Sequence, residues 1–232
     1  MKTGASKFQN VTNDSKSVIT NIIILAVLFS LSSCSPFICD MQSASLAGKH
    51  QVEITPGVSS VQFSQEPNIP GEQVKENIST VRGMQVAYGV SDKMDVRVRV
   101  ERFEYRNETV TAFSVGPKFM LVKDRIALFT PIWFLGGTPV ATQPTLLFSF
   151  PIVKNKIEFN PSVKNIISLG GYAPSTGILV AWKVGFAIST DLSAWAIRPE
   201  YGVVYDVNEK SSLSNYSLGL SLNLSKMFGV GR

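Results

Sequence analysis

Histidine and cysteine are almost absent from this chain. His50 is the only histidine among 232 residues, and Cys34 and Cys39 are the only cysteines. Nucleophilic triads need a histidine placed among other site residues, and zinc sites need clusters of histidine or cysteine. Glycine motifs of the kind that cradles phosphate are lacking as well. The sequence therefore predicts no enzymatic activity, no metal site and no cofactor.

A dense patch of one charge is also missing. The formal net charge is +5, and residues 1–33 hold three lysines against one aspartate, which leaves +3 on the rest of the chain. These basic residues are scattered singly along the sequence. Proteins that bind nucleic acid usually cluster their basic residues on one face. Nucleic acid is therefore not expected as a partner.

Long apolar runs are missing too, with one exception near the N terminus. Residues 18–33 read VITNIIILAVLFSLSS and follow a polar segment that bears lysines. A charged segment followed by a short apolar one is typical of a signal peptide. No later run reaches the ~20 apolar residues that a membrane-spanning helix needs. Residues 1–33 are therefore predicted to be a signal peptide.

The residues that close this segment indicate lipid attachment. Residues 31–34, LSSC, resemble the bacterial lipobox, in which small residues precede a cysteine that becomes the lipidated first residue. The resemblance implies lipidation of Cys34; cleavage near Ala47 and an uncleaved anchor are the alternatives. With Cys34 acylated, Cys39 has no partner for a disulfide within the chain. Residues 34–48, rich in Ser and Ala, are then predicted to be a tether between the lipid and the folded body, residues 49–232.

The body is dominated by strict alternation. Residues 94–101, MDVRVRVE, alternate apolar and charged residues without a break, and successive side chains of a β-strand point to opposite faces. Many such runs reach the 9–11 residues that a lipid-spanning strand needs, whereas strands of soluble proteins are nearer 5–6. The predicted fold is an all-β, up-and-down antiparallel transmembrane β-barrel of about ten strands, with the apolar parity facing lipid. The ten runs lie at about residues 50–64, 78–90, 94–106, 109–121, 126–136, 143–153, 157–168, 176–189, 194–205 and 212–226.

Two features depart from this pattern. Phe103 and Tyr105 share the parity of Arg97 and Arg99, which predicts that the strand bulges near Arg102 or leaves the bilayer there. Prolines also fall inside predicted strands, where each removes a ladder hydrogen bond unless it lies at a bulge or a strand end. These are Pro56, Pro117, Pro131, Pro151, Pro161 and Pro199.

The connections between the runs differ in length. Short turns at one end and longer loops at the other are typical of outer-membrane barrels, in which the short turns face the periplasm. An even number of strands then places both termini on the periplasmic side, with the lipid in the inner leaflet. The short links are predicted at residues 91–93, 122–125, 154–156 and 190–193, with a further short link at 107–108 on the other side, and the long links at 65–77, 137–142, 169–175 and 206–211.

Charged side chains gather on the parity assigned to the lumen. A slightly cation-rich lining would favour anions in a narrow channel. The alternative is a set of ion pairs that fills the interior, because buried charges need partners. This predicted charge ladder consists of Arg97, Arg99, Glu101, Lys118, Glu158, Lys164, Lys183, Arg198 and Glu200.

The stretch YGVSDKMDVR, residues 88–97, resembles a turn of Gram-negative outer-membrane barrels, and FAISTDLSAW, residues 186–195, is a looser likeness. The resemblance to small outer-membrane β-barrel proteins implies fold and location and supplies no substrate. The strand count also resembles that of the omptin proteases, but no residues match their paired aspartates and histidine. The predicted function is an outer-membrane lipoprotein, with membrane lipid as its partner, that acts as a surface scaffold or a narrow solute channel. The alternative is a periplasmic lipoprotein whose soluble β-barrel or sandwich binds an apolar ligand.

Overall fold

The computed structural model describes residues 40–65, 74–105, 108–169, 179–206 and 211–229, which all belong to one compact unit. The predicted signal peptide, Cys34 and Cys39 lie outside the described residues. None of the helices among the described residues is long and apolar enough to cross a membrane. The strands are β1 (Val52–Gln65), β2 (Val74–Ser91), β3 (Met94–Tyr105), β4 (Glu108–Val122), β5 (Ile126–Phe129), β6 (Ile132–Leu135), β7 (Thr138–Thr142), β8 (Thr145–Phe148), β9 (Phe150–Val153), β10 (Ile157–Phe159), β11 (Ser162–Ser168), β12 (Leu179–Ile188), β13 (Trp195–Asp206) and β14 (Ser211–Asn223).

These strands close into an antiparallel barrel. β1 pairs with both β2 and β14, and the ladder continues through β13, β12, β11, β8 and β5 back to β4. Short interruptions divide three of the spanning strands, so that β5 and β6, β7 to β9, and β10 and β11 each cross the barrel as one strand. Counted in this way, ten strands cross the barrel in the described part of the chain, which confirms the predicted fold.

The prolines explain the interruptions. Pro131 separates β5 from β6, Pro144 separates β7 from β8, and Pro161 separates β10 from β11. Proline has no backbone N–H, so each of these residues can only accept hydrogen bonds in the ladder. Their carbonyl oxygens accept hydrogen bonds of 3.0–3.1 Å from backbone N–H groups of neighbouring spanning strands. Pro117 lies within β4 and Pro199 within β13. Each is paired with the neighbouring strand on one side, and the pairing with the strand on the other side is interrupted at that position.

Three predicted boundaries are wrong. Residues 138–142 form β7, and the link before it is a two-residue turn in which Gly136 and Gly137 have φ of 56° and 86°. Such positive φ values suit a type I′ hairpin, which glycine accommodates without strain. Residues 74–77 belong to β2 rather than to the preceding loop. The last strand ends at Asn223, whose side chain caps a short helix, α1 (Leu224–Phe228).

The two faces of the wall differ in polarity as the alternation predicts. Val98, Val163 and Leu220 are 43%, 50% and 39% exposed on the outside, while their neighbours Arg97, Lys164 and Ser221 are buried inside. A soluble barrel that binds an apolar ligand would place its apolar parity inward, which the wall around these residues does not do.

Phe103 does not mark a bulge. β3 pairs in continuous register with β2 and β4 through Phe103, whose ring is buried on the lumen side. On the outer side, Glu104 lies 3.7 Å from Arg82 and 3.8 Å from Arg102 in exposed ion pairs. Charged pairs of this kind are favourable in water and costly in lipid.

Candidate functional site: a filled lumen

The lumen contains part of the chain's own N-terminal region. Residues 40–48, here called the inner segment, precede β1, and Asp40, Met41, Gln42 and Ala44 are all at most 5% exposed. The sequence predicts these residues to be part of a tether between the lipid and the folded body. The structure places residues 40–48 inside the barrel, where their polar groups find partners on the inward faces of distant strands.

The two ends of the barrel carry different connections. The turn end carries the links after β2, β4, β9 and β12 together with the start of β1 and the end of β14; the loop end carries the others. The half of the lumen next to each is called the turn half and the loop half.

Asp40 is the most strongly held residue of the inner segment. Its carboxylate lies 3.0 Å from the Lys164 ammonium and 2.5 Å from that of Lys183. The backbone N–H groups of Asp40 and Met41 donate to the two carboxylate oxygens of Glu200 at 2.8 and 2.9 Å. Lys164, Lys183 and Glu200 lie near the middle of their spanning strands, so Asp40 is held near mid-lumen.

The following residues descend toward the turn end. Lys118 donates to the carbonyl oxygens of Ser43 and Ser45 at 2.6 and 2.7 Å. The Ala47 N–H donates to the carboxylate of Asp95 at 3.1 Å. Asp95 is the second residue of β3, so residue 47 has reached the rim where the turns lie. Backbone groups satisfied in this way can be buried without the large penalty of unpaired polar atoms.

Glycines on the lumen parity provide the space for the inner segment. A Cβ built on Gly57 or Gly219 would lie 2.5–2.6 Å from the Met41 side chain, and one on Gly89 would lie 1.7 Å from the Gly48 carbonyl oxygen. Next to this contact, the backbone N–H of His50 donates to the Gly89 carbonyl oxygen at 2.7 Å. The wall therefore approaches the inner segment more closely than any residue with a side chain would allow.

The predicted charge ladder lies on the inward side of the wall and divides into two groups. Lys118, Lys164, Lys183 and Glu200 contact the inner segment as described. The other five pair within the wall itself: Arg97 pairs with Asp95 at 2.9 Å, Arg99 with Glu101 at 2.5 Å, Arg198 donates to Ser221, and Glu158 accepts from Ser149 and Asn160.

Asp40 is the site residue that sequence reasoning missed. Its polar neighbours in the sequence show no periodicity, and its partners Lys164 and Lys183 are more than a hundred residues away. The signal available in the sequence was the excess of cations on the lumen parity, because buried cations need carboxylates as partners. His50, predicted to start the first strand, lies just before β1, exposed and 3.2 Å from the Tyr88 hydroxyl.

The loop half of the lumen has a different lining. An apolar cluster of side chains, all at most 6% exposed, faces inward there, and Leu135, Val140, Leu179 and Leu213 pack against it. The cluster lies on the same parity as the charges of the turn half but nearer the loop end of each strand. Its members are Val61, Val81, Phe103, Ala112, Trp133, Ala141, Ile166, Ala181 and Val204.

No protein-family model matches this chain. No curated protein matches its sequence either. Solved structures share the barrel shape at low identity. The translocator domain of the autotransporter NalP from Neisseria meningitidis matches with 7% identity and a TM-score of 0.43, over 90% of this chain and 97% of that one. The attachment invasion locus protein Ail of Yersinia pestis gives 10% identity and 0.34, over 76% and 99%. The porin KdgM, in complex with disordered oligogalacturonate, gives 11% and 0.39, over 73% and 98%.

Proposed function

We propose that this protein is a lipid-anchored outer-membrane barrel with a closed lumen, which acts as a surface scaffold rather than as a solute channel. The observation that carries the proposal is the inner segment. It occupies the turn half of the lumen, and its carboxylate and backbone groups satisfy the lysines that would otherwise line a pore.

The outer surface supports insertion in a membrane. Large apolar side chains are exposed around the wall, including Trp182, Phe186 and Leu218. A membrane-spanning barrel buries such a band in lipid, whereas monomeric soluble proteins rarely expose contiguous apolar patches of this size. We accordingly propose lipid of the outer membrane as the partner. We propose no role for the protein in nucleic-acid binding or catalysis.

The turn end supports an orientation toward the periplasm. Exposed Lys93, Lys123, Lys154 and Lys156 lie in its turns, and α1 beside them exposes 72% of Phe228. An interfacial aromatic ring and lysines near anionic headgroups are typical of membrane borders. Because the short turns of outer-membrane barrels face the periplasm, we infer that the start of β1 and the end of β14, which lie at the turn end, face the periplasm.

Conductance in planar bilayers tests the closed lumen. The mature chain beginning at Cys34 should give no steady current, whereas a chain beginning at Lys49, which lacks the inner segment, should give ion-conducting steps. Heat-modifiable migration on gels checks that both chains are folded. A steady current through the complete mature chain would establish the narrow channel instead.

Metabolic labelling tests the lipid anchor. Cys34→Ala should abolish incorporation of labelled fatty acid, because the LSSC sequence ends at that residue. Cys39→Ala is the matched control and should leave labelling unchanged. Equal labelling of both variants would contradict attachment at Cys34.

An epitope inserted after Gly71 tests the orientation. It should bind antibody on intact cells, and the same epitope after Asp92 should become detectable only once the outer membrane is permeabilised. The reverse result would invert the barrel and place the loop end in the periplasm.

A further inference from the structure

The outer face of β2 and β3 changes from apolar to basic within two residues. Met84 and Val100 are exposed large apolar side chains on the outside, and an arginine follows each of them two residues nearer the loop end. These arginines, Arg82 and Arg102, are direct cross-strand partners, and their side chains are 67% and 61% exposed. The apolar band of the wall therefore ends here at two adjacent cations.

A single carboxylate is shared by the two arginines. Glu104 lies 3.7 Å from Arg82 and 3.8 Å from Arg102, and both distances exceed that of a direct hydrogen bond. Arg102 also donates to the Thr109 hydroxyl at 3.4 Å, and its cross-strand partner on β4, Thr111, is uncharged. Among the side chains that the structure describes on this part of the outer face, one positive charge is therefore left over.

An apolar groove lies beside Arg82 on the same face. Its volume is about 280 Å³, and Val58, Tyr216 and Leu218 are among the residues that line it. Ser60, also in the lining, is much smaller than its cross-strand partner Tyr216, which leaves the space open. Val58 is the direct cross-strand partner of Arg82, and the Cβ atoms of such partners are about 5 Å apart. The groove and the cations are therefore neighbours.

The groove reaches further from the loop end than the arginines do. Leu218 lies five residues before Asn223, at the turn end of β14, whereas Arg82 lies nine residues before Ser91, at the turn end of β2. Each residue of a strand adds about 3.3 Å, so the arginines lie nearer the loop end than this side of the groove. A ligand that fits both parts has an apolar chain directed toward the middle of the wall and an anionic group directed toward the loop end.

We propose that the groove and the two arginines form a binding site for an anionic membrane lipid. One acyl chain fills the groove by van der Waals contact, and a headgroup phosphate accepts hydrogen bonds from Arg82 and Arg102, whose planar guanidinium groups suit phosphate oxygens. A free phosphate ion has no chain to place in the groove, so the groove favours a lipid. The inference rests on the proposed function, because it requires the apolar face to lie in a bilayer; the proposed orientation opens the site to the outer leaflet.

Native mass spectrometry of the full mature chain in detergent tests the headgroup contact. The probe is phosphatidic acid, and diacylglycerol with the same acyl chains is the matched lipid without phosphate. The protein should retain phosphatidic acid preferentially, and Arg82→Gln or Arg102→Gln should each weaken retention about fivefold. Lys123→Gln in an exposed turn is the control and should have little effect. Equal retention of the two lipids by the unaltered protein overturns the proposal.

Glu104→Gln gives a result of the opposite sign. It removes the carboxylate that competes for both arginines, so retention of phosphatidic acid should increase. A decrease would show that Glu104 helps to hold the lipid, and would overturn the assignment of the phosphate to the arginine pair.

Ser60→Trp tests the groove. The larger side chain should fill the space and weaken retention of phosphatidic acid, whereas Asn165→Trp, at an exposed outward position of β11, should not. Displacement of the lipid by inorganic phosphate, together with unchanged retention by Ser60→Trp, would identify a site for free anions and overturn the lipid. Heat-modifiable migration on gels checks that each variant is folded.

Conductance separates this inference from the proposed function. A closed barrel that shows no preference for phosphatidic acid would remove the lipid site alone. A steady current through a chain that still prefers phosphatidic acid would contradict the closed lumen and support the lipid site.

Discussion

The two halves of the lumen are built from the same strands and yet have opposite polarity. In the turn half, the wall is charged inside and apolar outside, as a barrel in lipid requires. In the loop half, the wall formed by β1 to β4 is apolar inside, at Val61, Val81 and Phe103, and bears charged pairs outside, at Arg82 and Glu104. The second arrangement is that of a soluble β-barrel. Under the proposed membrane insertion, this inversion marks where the strands leave the bilayer.

The largest effect is expected where the turn half depends on the inner segment. Asp40→Ala removes the carboxylate that neutralises Lys164 and Lys183 inside the wall. Removing one partner of a buried ion pair costs about 3–5 kcal/mol, because the remaining charge is left unpaired. Urea unfolding in lipid vesicles measures the loss. Asp92→Ala in an exposed turn is the matched control, and equal losses for the two variants would contradict a held inner segment.

The second prediction locates the inversion on the outer face. Val98→Arg places a charge on the apolar exterior of the turn half and should cost about 2–4 kcal/mol of barrel stability, as lipid-facing cations do near the bilayer centre. Thr111→Arg, on the outward face of β4 beside Arg102, should cost about 0–1 kcal/mol if that part of the wall lies beyond the lipid. Equilibrium unfolding in vesicles compares the two, and a penalty at Thr111 as large as that at Val98 would place the rim inside the bilayer.

The third prediction concerns the close approach between the wall and the inner segment. Gly89→Ala would bring a Cβ to 1.7 Å from the Gly48 carbonyl oxygen, a backbone atom that cannot simply rotate away. Overpacking of this kind costs about 1–3 kcal/mol. Gly185→Ala is the matched control, because its Cβ would meet nothing closer than 3.4 Å. Thermal unfolding should separate the variants, and equal midpoints would show that the inner segment moves freely at Gly48.

Sequence alone predicted the wall well and its contents poorly. Alternation is a local signal, so the ten strands, the lipid-facing side of Val98 and the inward side of Lys183 follow from short windows. The pairing of Lys183 with Asp40 is not local, and nothing in DMQSASLAG has a period that would place it in a lumen. The prolines at 131 and 161 were visible as a difficulty, but the gaps that accommodate them depend on the register of neighbouring strands.

The apolar lining of the loop half was also visible in part. Phe103 shares the parity of Arg97, and that departure predicts a bulge or the end of the bilayer. The regular pairing of β3 excludes the bulge, and the outward Arg102 and Glu104 fit the second possibility. A parity that changes from charged to apolar within one strand therefore indicates a change in what lies inside the barrel as well as outside.

The smallest predicted effect separates the two faces of the loop half at adjacent residues. Ile166 is 5% exposed within the apolar cluster, whereas Ile167 is 44% exposed on the outside of the same strand. Ile166→Val leaves a small void among packed side chains and should cost about 0.5–1.5 kcal/mol. Ile167→Val removes the same methylene where lipid or solvent can fill the space, so it should cost less. Unfolding in vesicles at matched lipid concentration compares the pair. Equal losses for the two variants would contradict the inward packing of Ile166.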